Sequence, residues 1–226
     1  QFFTTYICSN LFIKTSLMRT KEITKLIFIT FMLVFTGSLK AQTKFSPYKS
    51  DVIIYSGYSF PIFPESDEWK NADRSQRTDM LQIPTDTLGS ISTRRLLETC
   101  LYYPFNINAF LCDNQSEGFD KVKNGFNGYA ELYQRNDFVA ELIALYSSRD
   151  VNLVEKMDND YDRGQYSFDY KIMELMILDI LNSTTTTSQR SNQIVDIVSR
   201  KQSQREQMKE YYSKNGTTEI IVNFEL

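Results

Sequence analysis

The chain has 226 residues, a net charge of −3, three cysteines and no histidine. Its apolar share of 42% is ordinary for a chain that buries a core, which argues against wholesale disorder. The absent histidine excludes Ser-His-Asp and Cys-His nucleophile pairs, histidine-ligated zinc and a histidine general base. Any chemistry falls to Asp, Glu, Tyr, Lys or Cys.

The first methionine is Met18, and it opens a segment of three parts. Arg19, Lys21 and Lys25 make a basic start, residues 26–35 (LIFITFMLVF) an apolar run, and residues 37–41 (GSLKA) a small-residue end. That order predicts a signal peptide over residues 18–41, cleaved after Ala41, with residues 1–17 as upstream overhang. The apolar run is about half the ~20 residues that a spanning helix needs, so no membrane span is expected after cleavage. The mature chain is expected in the periplasm or outside the cell. Losing residues 1–41 removes five bases (Lys14, Arg19, Lys21, Lys25, Lys40) and one acid (Glu22), which takes the net charge from −3 to −7. Without a basic stripe, such a chain is not expected to bind nucleic acid. Cys100 and Cys112 remain. An oxidising compartment lets them pair as a disulfide, but the place of Cys100 in an apolar stripe favours a free buried thiol.

In chain order, residues 42–79 read as a mixed, partly extended and loosely attached segment. Residues 51–60 (DVIIYSGYSF) are β-rich, and Pro61 and Pro64 break regular structure after them. Pro84 suits the first turn of a helix with Leu88 and Ile91 at helical spacing. Ser92 caps the next helix, whose apolar face is Leu96, Leu97, Cys100 and Leu101, and Pro104 stops it. A short apolar segment follows with Phe105, Ile107, Phe110 and Leu111. Asn114 caps another helix, with Glu117 in capping-box position and Phe119, Val122 and Phe126 on its buried side. Asn136 caps a helix over residues 137–146. Residues 170–181 (YKIMELMILDIL) are apolar on nearly every side and predict a central core helix. A polar connection (182–192), a long helix (193–212) and a strand (217–224) complete the chain. The expected fold is mostly α: a bundle of short helices over residues 80–226, with minor β structure near the termini.

The pieces Ile83-Pro84, Leu88, Ser92-Thr93, residues 96–101 (LLETCL), Tyr103-Pro104, Gly118-Phe119, Phe126-Asn127-Gly128, Glu131-Leu132, Arg135, Asp137 and Tyr146 resemble a family of uncharacterised exported bacterial helical proteins. The resemblance implies export and a compact helical segment over residues 83–146. It implies no activity and no functional residue.

Three groupings carry candidate chemistry. Asp158, Asp160, Asp162 and Asp169 fall at positions 1, 3, 5 and 12 of an EF-hand-like loop, the spacing that gathers oxygen ligands for calcium. The glycine demanded at position 6 is displaced to Gly164, and Asp169 stands where Glu is usual; the alternative is a solvated acidic turn. Glu98, Glu131 and Glu174, with Asp137 and Glu141, supply carboxylates for a hydrolase that would cleave an extracellular polymer between paired acids. Tyr102, Tyr103, Tyr129, Tyr133, Tyr161, Tyr166 and Tyr170 suit either an aromatic recognition surface or a core edge. There is no phosphate-cradling glycine loop and no CxxC pair. The leading expectation is a secreted, non-enzymatic helical domain that binds a protein or glycan partner. A carboxylate hydrolase is the alternative, and a weak calcium-binding protein a lesser one.

Overall fold

A computed structural model describes residues 46–64, 66–183 and 188–212 of the chain. The expected leader and overhang (1–41) and the expected strand (217–224) lie outside them. The described part is helical almost throughout, with no strand among the described residues. The helices are α1 (Asp67–Asn71), α2 (Arg74–Met80), α3 (Thr85–Ser90), α4 (Thr93–Leu101), α5 (Gln115–Gly125), α6 (Asn127–Leu132), α7 (Phe138–Ser148), α8 (Asp160–Asn182) and α9 (Ser188–Glu206). Two 3-10 helices, Pro104–Leu111 and Val151–Lys156, follow α4 and α7.

Short polar side chains start most of these elements by accepting hydrogen bonds from the first free amides. Ser92 caps α4 and Asn114 caps α5, as their positions predict. Asp73 and Gln76 form a reciprocal capping box on α2. Asp137, not Asn136, occupies the cap position of α7. Pro104 ends α4 and opens the 3-10 helix, where its missing N–H costs nothing.

Helix α8 is the axis of the core. Tyr170, Ile172, Met173, Met176 and Ile177 are fully buried along it, as the apolar run predicts. But α8 begins at Asp160, ten residues before that run. Helices α4, α7 and α9 pack around it, and α4 also packs on α6 and α7. Helix α5 lies so close to the 3-10 helix Pro104–Leu111 that a Cβ on Gly118 would stand 2.2 Å from the Ala109 carbonyl oxygen. Only glycine permits that approach.

Residues 51–60 run as irregular chain, and the segment expected to be loosely attached is sewn to the bundle. Tyr48, Tyr55 and Phe60 enter the core. The Tyr58 amide donates to Thr99 Oγ1 (2.8 Å), and the Ser56 amide and hydroxyl donate to Glu98 (3.1 and 2.6 Å). The β-rich composition marks aromatic packing here, with side chains of α4 taking the bonds that a sheet partner would take.

Several polar side chains between residues 83 and 146 tie the helices to one another. The Asn127 side chain accepts from the Ile83 amide (3.0 Å) and donates to the Ile83 carbonyl (2.8 Å), fastening the α2–α3 link to the start of α6. Arg135 donates to the carbonyls of Ile91 (2.6 Å) and Leu88 (2.9 Å) at the end of α3, and its Nε pairs with Glu131. These carbonyls form the negative end of the helix dipole, where a cation is favoured.

Candidate functional site

The acidic stretch 158–169 does not form a loop. Asn159 caps α8 by accepting from the Asp162 amide (2.9 Å), so the chain is helical from Asp160 onward. The four acids part company along it. Asp158 precedes the helix and is exposed, and Asp160 is exposed and pairs with Arg163 (3.0 Å). Asp162 is buried and accepts from the Lys49 amide (2.8 Å), the Ser50 amide (3.0 Å), the Ser50 hydroxyl (2.6 Å) and the Asn159 side chain (2.9 Å). Burial pushes its carboxyl up, but these four donors outweigh burial and hold it below the ordinary value. Asp162 therefore pins the N-terminal segment to α8, and its acceptor capacity is spent. No group of three or more His, Cys, Asp or Glu among the described residues is arranged to hold a metal.

Asp169 lies in the core as the centre of a buried polar hub. It accepts from Gln165 (2.8 Å), Tyr102 (3.0 Å), Tyr48 and the Arg149 guanidinium. The Arg149 guanidinium covers the Tyr166 ring at 4.3 Å. One turn further along α8, Glu174 accepts from Tyr146 (2.6 Å) and from Arg205, whose guanidinium lies 4.4 Å from the centre of the Tyr170 ring. Burial raises the pKa of both Asp169 and Glu174 despite their arginine partners. The bend that joins α7 to the second 3-10 helix exposes three backbone carbonyls inward. Tyr170 and Lys201 donate to that of Arg149, Tyr166 to that of Asp150 (2.7 Å), and Tyr212 to that of Val151 (2.8 Å). The tyrosines Tyr102, Tyr129, Tyr166 and Tyr170 are core residues, not a surface.

The hydrolase carboxylates are also separate. Glu98 is held by Ser56 and Arg94, Glu131 by Arg135, and Glu174 by Arg205 and Tyr146; of the candidate acids only Glu98 and Glu141 share a partner, with the Arg94 guanidinium lying between them (3.2 and 3.9 Å) and pairing with both. Asp137 accepts from Thr93 (2.8 Å). Cys100 and Cys112 are free thiols and do not form the disulfide. Cys100 faces the sealed core from α4, where burial pushes its thiol up, whereas Cys112 sits at the rim just after the 3-10 helix.

Two clefts flank α5 and share Thr78 and Gly125. The wider one, about 760 Å³, mixes apolar side chains (Phe126, Ala130) with polar ones, of which Gln82, Asn127 and Lys123 are engaged internally. Gln82 donates to the Thr78 and Gly125 carbonyls and accepts from the Asn127 amide, and Lys123 pairs with Asp120 and Asp179. The narrower one, about 380 Å³, differs. Its wall has an apolar part from Tyr103, Phe105, Leu111 and Val122 and a polar part from Thr78 and Asn108, and Arg74 and Lys121 stand in it. Arg74 is exposed and makes no side-chain hydrogen bond or ion pair among the described residues, and Lys121 reaches only the Cys112 sulfur, at 3.7 Å. Beside it, Leu111 is 76% and Ile107 51% exposed, both large apolar side chains on one short 3-10 helix. The sequence pattern places Ile107 and Leu111 in the apolar segment, but Arg74 and Lys121 join them only through the packing of α2 and α5.

No family model matches the chain, and no curated protein and no solved structure is significantly similar to it. No helix among the described residues is long and apolar enough to cross a membrane.

Proposed function

We propose that the protein is an exported, non-enzymatic helical domain that docks a protein partner on the face made by the 3-10 helix Pro104–Leu111 and the cleft beneath α5. The observation behind this reading is the pair of exposed apolar side chains, Ile107 and Leu111, next to a cleft with a partly apolar wall. Exposed apolar side chains that rim a groove suit a partner's apolar surface. A protein is favoured over a glycan. The exposed side chains at this face, Ile107 and Leu111, are aliphatic, and the Tyr103 ring in the cleft is stacked on Phe126 at 4.2 Å and so is not an open face for a sugar.

Export is tested by the mass of protein recovered outside the cytoplasm, which should begin at Gln42; a product that begins at Met18 contradicts it. Docking is tested by a photo-crosslinking residue placed at Leu111 in the producing cell, with Ser199 on the exposed side of α9 as control. A discrete adduct from position 111, absent from 199 and lost with Ile107→Asp, is expected. Equal adducts from both positions would remove the reading.

A further inference from the structure

The narrower cleft combines two properties that restrict what can fill it. Much of its wall is apolar, and its charged residues are all cations: Arg74 and Lys121 line it and no Asp or Glu does, in a chain whose acids outnumber its bases. Elsewhere in the fold, arginines that pack against other elements find acceptors: Arg94 and Arg135 pair with Glu98 and Glu131, and Arg77 and Arg95 donate to backbone carbonyls of Trp69 and Ser56. Arg74 has no such partner, and Lys121 has only a sulfur, a weak acceptor. A partner that covers this cleft takes both cations out of water. With apolar surface alone it would leave two desolvated, unpaired charges, which costs more than the apolar contact returns. The occupant must therefore bring anions along with its apolar groups.

Resting on the docking reading above, we propose that the occupant is an acidic, apolar peptide segment of the partner. It seats an apolar side chain against Phe105 and Leu111 and sets carboxylates on Arg74 and Lys121. The arginine fork accepts a carboxylate in bidentate fashion, and Lys121 adds a point charge across the cleft. A nucleic acid is disfavoured because two cations on an acidic chain neutralise too few phosphates. An anionic membrane is disfavoured because its recognition takes a cluster of about four or more bases. Cys112 lines the same cleft and, in a Cys8→Ser chain, reports on its occupancy, since Cys100 is sealed in the core.

The experiment uses the full chain with Cys8→Ser and a fluorescein-labelled peptide in which Leu and Phe alternate with Asp and Glu. A matched peptide carries Asn and Gln in place of the acids. Anisotropy should show the acidic peptide binding about tenfold or more tighter than the amide one, as expected for charge-assisted bonds. Arg74→Glu and Lys121→Glu should each abolish that preference, raised salt should weaken it, and bound acidic peptide should slow maleimide labelling of Cys112. Both positions are exposed, so unchanged thermal melts of the variants show that they fold. If both peptides bind equally and Leu111→Asp abolishes both, the charges are idle: the inference falls and the docking reading stands. If neither peptide binds, or phosphatidylserine vesicles bind through Lys121 instead, the inference falls. The crosslink from position 111 then decides the docking reading separately.

Discussion

The hub along α8 and the cleft beneath α5 treat charge in opposite ways. In the hub, Arg149 and Arg205 are nearly sealed from solvent, each paired with one carboxylate of α8 and laid on a tyrosine ring. In the cleft, Arg74 and Lys121 face solvent with no carboxylate partner among the described residues. Removing a partner in the hub leaves a buried charge, whereas removing a cation in the cleft leaves nothing behind. Charge in the first region therefore holds the fold, and charge in the second is free for a ligand.

The sharpest way to break this contrast is Asp169→Ala. It strands Arg149, with Tyr48 and Tyr102 losing their shared acceptor, and is expected to cost about 3–5 kcal/mol in denaturant unfolding. Arg205→Met should cost a similar amount by stranding Glu174. The double variant Glu174→Leu with Arg205→Met should recover most of that loss, because Nε and Nη1 of Arg205 have no partner even in the native protein. A double variant as weak as the single one would mean that the pair itself, not its mismatch, holds α9 to α8.

Gly118→Ala sharpens the cleft side. Its Cβ would meet the Ala109 carbonyl, so α5 and the 3-10 helix must separate. A loss of about 1–3 kcal/mol is expected, with a changed rate of Cys112 labelling because the cleft wall moves. Smaller still is the dependence on pH. Asp169 and Glu174 titrate higher folded than unfolded, so the stability they contribute is full below the ordinary carboxylate range and is lost as pH rises through their folded values. Asp162 has the opposite sign: its contribution is present above the ordinary value of 3.8 and is lost as pH falls through its lowered one. Denaturant midpoints across pH should rise on mild acidification and then fall. Asp162→Asn should remove the fall alone.

Much of the helical fold was legible in the sequence because local signals dominate it. Ser92, Asn114, Pro104 and the apolar run of α8 set element ends and faces through bonds a few residues away. The stretch 158–169 misled for a physical reason. Asn159, Asp160 and Asp162 are what an N-cap and an acidic first turn require, and the same residues fit a calcium loop at nearly the same spacing. Helical spacing of Tyr166, Tyr170 and Met173 argued for the cap, but the dense charge obscured it. The hub was hidden for another reason. Asp169 meets Tyr48 across 121 residues and Tyr102 across 67, and no pattern in one sequence joins them. The cleft is half legible: Ile107 and Leu111 show as an apolar segment, but their exposure follows from α5 covering the other side of that 3-10 helix.

One substitution made once in each region tests the contrast most directly. Arg149→Gln and Arg74→Gln change the same chemical group, and chemical denaturation of both measures what each arginine does for the fold. The expected result is a loss of about 3–5 kcal/mol for Arg149→Gln, which strands Asp169, and a change within about 0.5 kcal/mol for Arg74→Gln. Comparable losses from the two would contradict the account, since Arg74 would then be serving the fold and would not be free for a partner.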